Sequence, residues 1–211
     1  MASQLSFEQA KKFLKKHRFP QPKELSVKSW DEAKAAASKV GYPVVLKIFS
    51  SKILHKSDVG GVKIDIRNEE ELKKAYRKLS RIRGIESLIV QEMIPGKYVI
   101  IGMKRDSQFG PVVLVGAGGI YVEILKDFSM RIAPVTLKEA KEMIKELKIY
   151  PILAGARGQE KVNLNLLAKI IHKVSELAMK DKSLQELDFN PVVVNKKGGA
   201  IVDAKIIVSA K

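Results

Sequence analysis

The chain of 211 residues contains no cysteine. Disulfides, thiolate nucleophiles and cysteine-ligated metal centres are therefore excluded. Histidine is scarce too: His17, His55 and His172 are too few and too scattered to read as a zinc site. No apolar run approaches the roughly 18–20 residues that a membrane-crossing helix needs. The opening stretch MASQLSFEQAKKFLKKH lacks the continuous apolar core of a secretory signal. These absences lead to the expectation of a cytoplasmic protein with no membrane contact.

Aromatic residues make up only 6% of the chain and do not alternate with basic ones. This bears on the charge, because 39 Lys+Arg against 23 Asp+Glu leave a net +16. Such a balance suits a nucleic-acid-binding module, yet single-stranded platforms need aromatics for base stacking. The lysines are spread over helices instead (Lys11, Lys12, Lys15, Lys16; Lys73, Lys74, Lys78; Lys138, Lys141, Lys145, Lys148). An acidic partner subunit or a polyanionic substrate accounts for the excess at least as well. With 45% hydrophobic and 29% charged residues the chain is globular, long enough for one domain or two lobes.

Four positions carry the spacing of a helix N-cap: Ser6-x-x-Gln9, Ser29-x-x-Glu32, Asn68-x-x-Glu71 and Thr136-x-x-Glu139. Helical apolar faces follow, such as Phe7, Ala10, Phe13, Leu14 and Leu72, Ala75, Tyr76, Leu79. A longer helix is predicted from Asn163 to Lys180, with Leu166, Leu167, Ile170, Ile171, Val174, Leu177 and Ala178 inward. Strands are predicted over Tyr42–Phe49, Gly61–Ile66, Ser87–Met93, Tyr98–Arg105, Pro111–Val115, Tyr121–Leu125, Leu187–Val194 and Ala200–Val208. The last two flank a turn at Asn195–Gly199. The pattern is α+β, with mostly antiparallel strands and helices packed on them. Pro95-Gly96 is the candidate hinge between lobes.

Lys47 sits in an otherwise apolar strand, where an ammonium is costly unless it reaches water or an anion. It either snorkels from the strand end or binds phosphate; Gly60-Gly61, opening the next strand, favours phosphate because glycine lets backbone N–H groups close on an anion. His55 in the loop between them is open to two readings, a surface residue or a phosphoryl acceptor, neutral imidazole being nucleophilic near its ordinary pKa of about 6.5. Glu92 and Met93 end a strand whose backbone could bind an adenine edge, or are an ordinary strand end. Gly116-Ala117-Gly118-Gly119 precedes Glu123 and does not match the dinucleotide fingerprint. Asn190 and Asp203 should meet across the last hairpin, where an amide oxygen and a carboxylate, completed by phosphate and water, suit Mg²⁺; acids bracketing a hairpin are also common without a metal.

Taken in order, GYPVVLKI (41–48), LHKSDVGGV (54–62), QEMIPG (91–96), FGPVVLVGAGGIYVEILKD (109–127), RIAP (131–134), GARG (155–158) and ELDFNPVVV…AIVDAK (186–205) resemble the β subunit, or ATP-grasp part, of ADP-forming acetyl-CoA synthetases. The resemblance covers nearly the whole chain, and succinyl-CoA synthetase β subunits are the wider relatives. It implies an ATP-grasp fold, α+β, in two lobes of largely antiparallel sheet with packed helices. Residues 1–94 would form the N-terminal helix and first lobe, and residues 95–211 the second.

The resemblance further implies ATP/ADP and Mg²⁺ as cofactors, and a CoA-binding α subunit whose phosphorylated histidine visits this chain in an α2β2 assembly. Lys47 would contact nucleotide phosphates beneath Gly60 and Gly61, Glu92 and Met93 would form the adenine hinge, and Asn190 and Asp203 would hold Mg²⁺ with Asp188 nearby. Glu123 would line the phosphohistidine approach, and His55 would act as a second phosphoryl relay. The chain departs from the family at Tyr98, where a glutamate is common and could bind ribose hydroxyls. That departure keeps a non-catalytic nucleotide-sensing subunit in view. Removing Lys47 is expected to reduce phosphoryl transfer far more than stability.

Overall fold

The computed structural model describes residues 2–53, 56–118 and 126–209. The chain divides into two units, one of Pro22–Ile94 and one of Met1–Gln21 with Pro95–Lys211. Every strand pairing among the described residues is antiparallel.

The Pro22–Ile94 unit is a four-stranded sheet of β2 (Glu24–Val27), β3 (Val44–Phe49), β4 (Val62–Ile66) and β5 (Ser87–Glu92), in the order β2-β5-β3-β4. Two helices, α2 (Trp30–Val40) and α3 (Glu69–Leu79), pack on it. Both start where the capping spacing puts them. The Ser29 side chain accepts from the Glu32 N–H at 3.2 Å and the Asn68 side chain from the Glu71 N–H at 2.9 Å. Acids fill the first turns and Lys39, Arg77 and Lys78 the last, each sign facing the helix dipole end that favours it. Gly41 ends α2 at φ 92°, a conformation open to glycine at little cost. Ala33, Ala36 and Ala37 bring α2 close to the sheet, and Leu72 and Leu79 of α3 meet Val44, Leu46 and Ile48. Each of these large side chains, fully buried, contributes about 1.5–3 kcal/mol.

The other unit is built on a seven-stranded sheet, counted among the described residues, in the order β1-β11-β9-β6-β7-β8 with β10 also on β9. These strands are β1 (Ala2–Gln4), β6 (Lys97–Asp106), β7 (Gly110–Ala117), β8 (Phe128–Ile132), β9 (Leu184–Val194), β10 (Gly199–Ile201) and β11 (Ala204–Ser209). Among the described residues four helices accompany them: α1 (Phe7–Lys16), α4 (Leu137–Lys145), α5 (Tyr150–Leu153) and α6 (Leu164–Lys180). Ser6 with Gln9 and Thr136 with Glu139 form complete capping boxes. Asn163 caps α6, which buries Leu167, Ile170, Ile171, Val174 and Ala178, whereas Leu166 and Leu177 are only partly buried. The inward stripe also holds Ser175, whose hydroxyl accepts from the Val135 N–H at 2.6 Å.

Three differences from the sequence reading have physical causes. The N-terminal helix, expected with the first lobe, belongs to the unit of residues 95–211. Strand β1 pairs with β11, and Ala10, Leu14 and Phe19 enter the same core as Phe189, with the two phenyl rings edge to face at 5.2 Å. The apolar face of α1 thus finds its partner at the far end of the chain. Strand β8 escapes detection because its pattern is inverted. Phe128, Met130 and Ile132 point outward, while Ser129 and Arg131 both bond Glu146 just beyond α4. Finally, the strand expected over Ala200–Val208 is two, β10 and β11. The break faces Pro191, which has no N–H to donate, and Val202 N–H instead reaches the Pro191 carbonyl at 3.2 Å. The strand predicted over Tyr121–Leu125 lies outside the described residues.

No helix among the described residues is long and apolar enough to cross a membrane. Phe19→Ala should cost about 3–5 kcal/mol by opening a cavity against Phe189. Urea denaturation checks this, and a loss below about 1 kcal/mol would contradict the assignment of residues 2–21 to this core.

Candidate active site

Strand β3 alternates. Leu46 and Ile48 turn toward the helices, and Lys47 turns to the opposite face of the sheet, level with Ile89 of β5. Lys47 is only 6% exposed, so it does not snorkel to water. Its Nζ lies 3.6 Å from Glu24 Oε2, and that same oxygen accepts from Gln91 Nε2 at 2.6 Å. Glu24 and Gln91 are register partners on β2 and β5, which places the three side chains on one face. An ammonium and a carboxylate, each with about 8% of the side chain exposed, neutralise one another in a site with little solvent. Removing Lys47 takes a positive charge from beside a buried carboxylate, a change that costs on the order of 3–5 kcal/mol when a buried partner is lost, so a loss of stability is expected beside the loss of transfer.

The loop after β3 is tied down at its root. Ser50, 3% exposed, donates to the Gly84 carbonyl at 2.7 Å and accepts from the N–H groups of Lys52 and Ile53. Ser51 N–H donates to Glu86 Oε1 at 2.6 Å, and hydrogen bonding from Ser51 holds the Glu86 carboxyl below its ordinary pKa. Gly60 has φ +64° and its N–H donates to the Ser57 carbonyl at 2.9 Å. Gly61 N–H donates to the Lys56 carbonyl at 2.7 Å; a Cβ at Gly61 would fall 2.6 Å from Ile48 Cδ1 and 2.9 Å from that carbonyl. Both glycine amides therefore close the turn in this conformation rather than stand open toward a ligand. His55 lies outside the described residues.

At the end of β5, Glu92 is held twice by Lys23: its N–H donates to the Lys23 carbonyl at 2.8 Å, and its Oε2 accepts from the Lys23 N–H at 3.0 Å. The carboxylate thus fixes the strand end, with Met93 half-buried immediately after it.

In the other unit, Asp188 and Asn190 alternate with the core residues Leu187 and Phe189 along β9. The hairpin brings Asp203 beside Asn190, where the Asn190 N–H donates to the Asp203 carbonyl at 3.2 Å. Asp203 Oδ1 accepts from the Ala204 N–H at 3.1 Å, and Lys205, level with Asp188, pairs with Glu186 at 2.9 Å. Among the described residues no group of three or more His, Asp or Glu gathers as a metal cage. An amide oxygen and two carboxylates on adjacent strands are hard oxygen donors, and so few protein ligands fit Mg²⁺, which keeps waters and phosphate oxygens in its shell.

Gly118 is bonded to the Tyr98 carbonyl, and a Cβ there would sit 2.7 Å from the Val99 nitrogen, so glycine is required by the close approach of β6. Tyr98 itself is 45% exposed. Glu123 lies outside the described residues. Arg157, in GARG, is exposed and held at φ 54°, a left-handed conformation that costs a non-glycine residue about 1 kcal/mol or more. Glu24 is the residue that sequence reasoning missed: FPQPKELS reads as a proline-bounded connection, and nothing in it marks a strand that carries a counter-charge.

The ATP-grasp domain family matches residues 1–208, and the chain belongs to that family. Within it, the chain is 46% identical over 208 residues to the β subunit of acetate–CoA ligase [ADP-forming] I from Pyrococcus furiosus, covering 95% of this chain and 90% of that one. A solved structure of Ca. Korarchaeum cryptofilum dinucleotide-forming acetyl-coenzyme A synthetase 1 with coenzyme A, Ca-AMPCP and HgCl+ superposes with a TM-score of 0.90 at 40% identity, covering 98% of this chain and 94% of that one. Another structure of that enzyme, with coenzyme A and Mg-AMPPCP and its phosphohistidine segment pointing towards the nucleotide-binding site, gives a TM-score of 0.81 at 40% identity over 97% and 92% of the two chains. A succinate–CoA ligase β subunit from Hydrogenobaculum is a more distant relative. The resemblance read from the motifs, and the ATP-grasp fold it implied, are borne out.

Gly61→Ala should destabilise the Pro22–Ile94 unit by about 1–3 kcal/mol through overpacking, more than Gly60→Ala, which meets only an unfavourable φ. Denaturation midpoints of the two variants check the order, and equal values would contradict it.

Proposed function

We propose that this chain is the nucleotide-handling subunit of an ADP-forming acyl-CoA synthetase, acting in the cytoplasm with a CoA-binding α subunit in an α2β2 assembly. The reaction on this chain is exchange of a phosphoryl group: the N–P bond of a phosphohistidine breaks as a β-phosphate oxygen of ADP forms the new O–P bond, giving ATP and free imidazole. The observation that carries this reading is Lys47, an ammonium fixed by Glu24 on the face of an otherwise apolar strand, in a chain of the ATP-grasp family.

Phosphoryl transfer asks the protein mainly for position and charge neutralisation. Lys47 supplies a positive charge for the nucleotide phosphates, and the loop of Gly60 and Gly61 covers them. The backbone at Glu92 and Met93 receives the adenine edge, its strand end already set by the bonds to Lys23. Asn190 and Asp203 would hold Mg²⁺, which would supply positive charge to offset that spreading over the transferred group; the relative solved with Mg-AMPPCP supports that choice of metal. Glu123 lines the approach of the phosphohistidine, and His55 relays the phosphoryl group before ADP takes it.

A second reading, a nucleotide-sensing subunit without transfer activity, draws on Tyr98, exposed where the family commonly has a glutamate. Co-purification with the CoA-binding partner followed by an assay of acyl-CoA, ADP and phosphate decides between them. Turnover is expected, with Lys47→Gln reducing it at least about a hundredfold and Asp203→Asn raising the Mg²⁺ needed for half-maximal rate about tenfold or more. Nucleotide binding with no turnover and no acid-labile phosphate on His55 would establish the sensing reading instead.

A further inference from the structure

Lys47 cannot be understood from its own strand. It lies among Val44, Val45, Leu46 and Ile48, where an ammonium in surroundings of low polarity either loses its proton or folds outward to water unless a fixed negative charge holds it. The structure supplies that charge from β2, a strand on the far side of β5. Glu24 reaches across β5, and its Oε2 stands 3.6 Å from Lys47 Nζ. The carboxylate is itself held, because Gln91 on the intervening strand donates to the same oxygen at 2.6 Å. Glu24 has 8% of its side chain exposed and Gln91 is 3% exposed as a residue, so neither swings freely in solvent.

We infer that Glu24, oriented by Gln91, is the positioning residue for Lys47: it fixes the ammonium at the point where it meets nucleotide phosphate. Glu24 touches no substrate in this role. Its carboxylate would repel a triphosphate directly, and the lysine between them converts that repulsion into an alternating negative–positive–negative array. The inference rests on the proposed role of Lys47 in phosphate binding. It adds that the trait is shared by three strands, with Gln91 as the brace.

A double-mutant cycle on the affinity of the chain for MgATP separates this role from a structural one, since residues that act through one another are non-additive whereas independent ones add. Lys47→Met is expected to weaken MgATP binding about a hundredfold, and Glu24→Leu about tenfold. In the Lys47→Met background Glu24→Leu should have almost no further effect. Glu24→Asp, which keeps the charge but shortens the reach, should recover part of the loss, and Gln91→Leu should weaken binding less than Glu24→Leu. Unfolding midpoints of every variant confirm that folded protein is compared. Additive losses, or a Glu24→Leu variant that binds as the parent does while Lys47→Met fails, would overturn the inference and leave the role of Lys47 intact. Unchanged binding in Lys47→Met would overturn the nucleotide reading itself, and this inference with it.

Discussion

A positive charge inside an apolar strand constrains everything around it. Lys47 alternates with Leu46 and Ile48, which anchor β3 under α2 and α3. The strand therefore cannot twist away to release its lysine. The charge must be balanced where it stands, and Glu24 balances it from two strands away with Gln91 between them. The strand that carries the carboxylate, β2, follows two prolines and is held by its pairing with β5 and by the burial of Val27, which set Glu24 in register with Gln91. Burying such a pair is at best weakly stabilising compared with apolar side chains of similar size. Its presence is better understood as a requirement of chemistry than of folding.

Around that centre, the same unit holds the loop after β3 by its root rather than its tip. Ser50 and Glu86 fix its first residues, and Gly61 lies against Ile48 at the other end. The two glycine amides are bonded to carbonyls of their own turn, so receiving a phosphate through them would mean exchanging one set of acceptors for another. In the second unit, the polar side chains of β9 lie on the face turned from the core, with Asp203 delivered beside Asn190 by a broken strand. The break at Val202–Asp203, opposite a proline that cannot donate, frees this stretch from a regular ladder.

How much of this was legible in the sequence follows from how local each signal is. All four capping positions start helices, because a cap is a contract among residues three apart and needs no distant partner. The strands around Lys47, Gln91 and Asn190 were visible for the same reason, as runs with their own pattern. Strands β1 and β2 are short and exist through what they pair with, and β8 shows its apolar side to solvent because its inner side chains bond Glu146. The grouping of α1 with residues 95–211 was hidden too, since nothing in Phe7–Lys16 says which end of the chain will cover Leu14. At the site, the hairpin geometry of Asn190 and Asp203 was readable from the turn between them. The counter-charge on Lys47 was not, because it depends on the order of strands in a sheet.

The central claim is that the ammonium of Lys47 meets nucleotide phosphate. An acyl-phosphate derivative of ATP, which transfers its acyl group to a lysine beside the bound phosphates, tests this most directly when the labelled peptides are mapped by mass spectrometry. The account predicts that Lys47, although buried, is acylated ahead of the many exposed lysines, and that excess MgATP suppresses the label. Acylation spread over surface lysines and indifferent to MgATP, with Lys47 untouched, would contradict it.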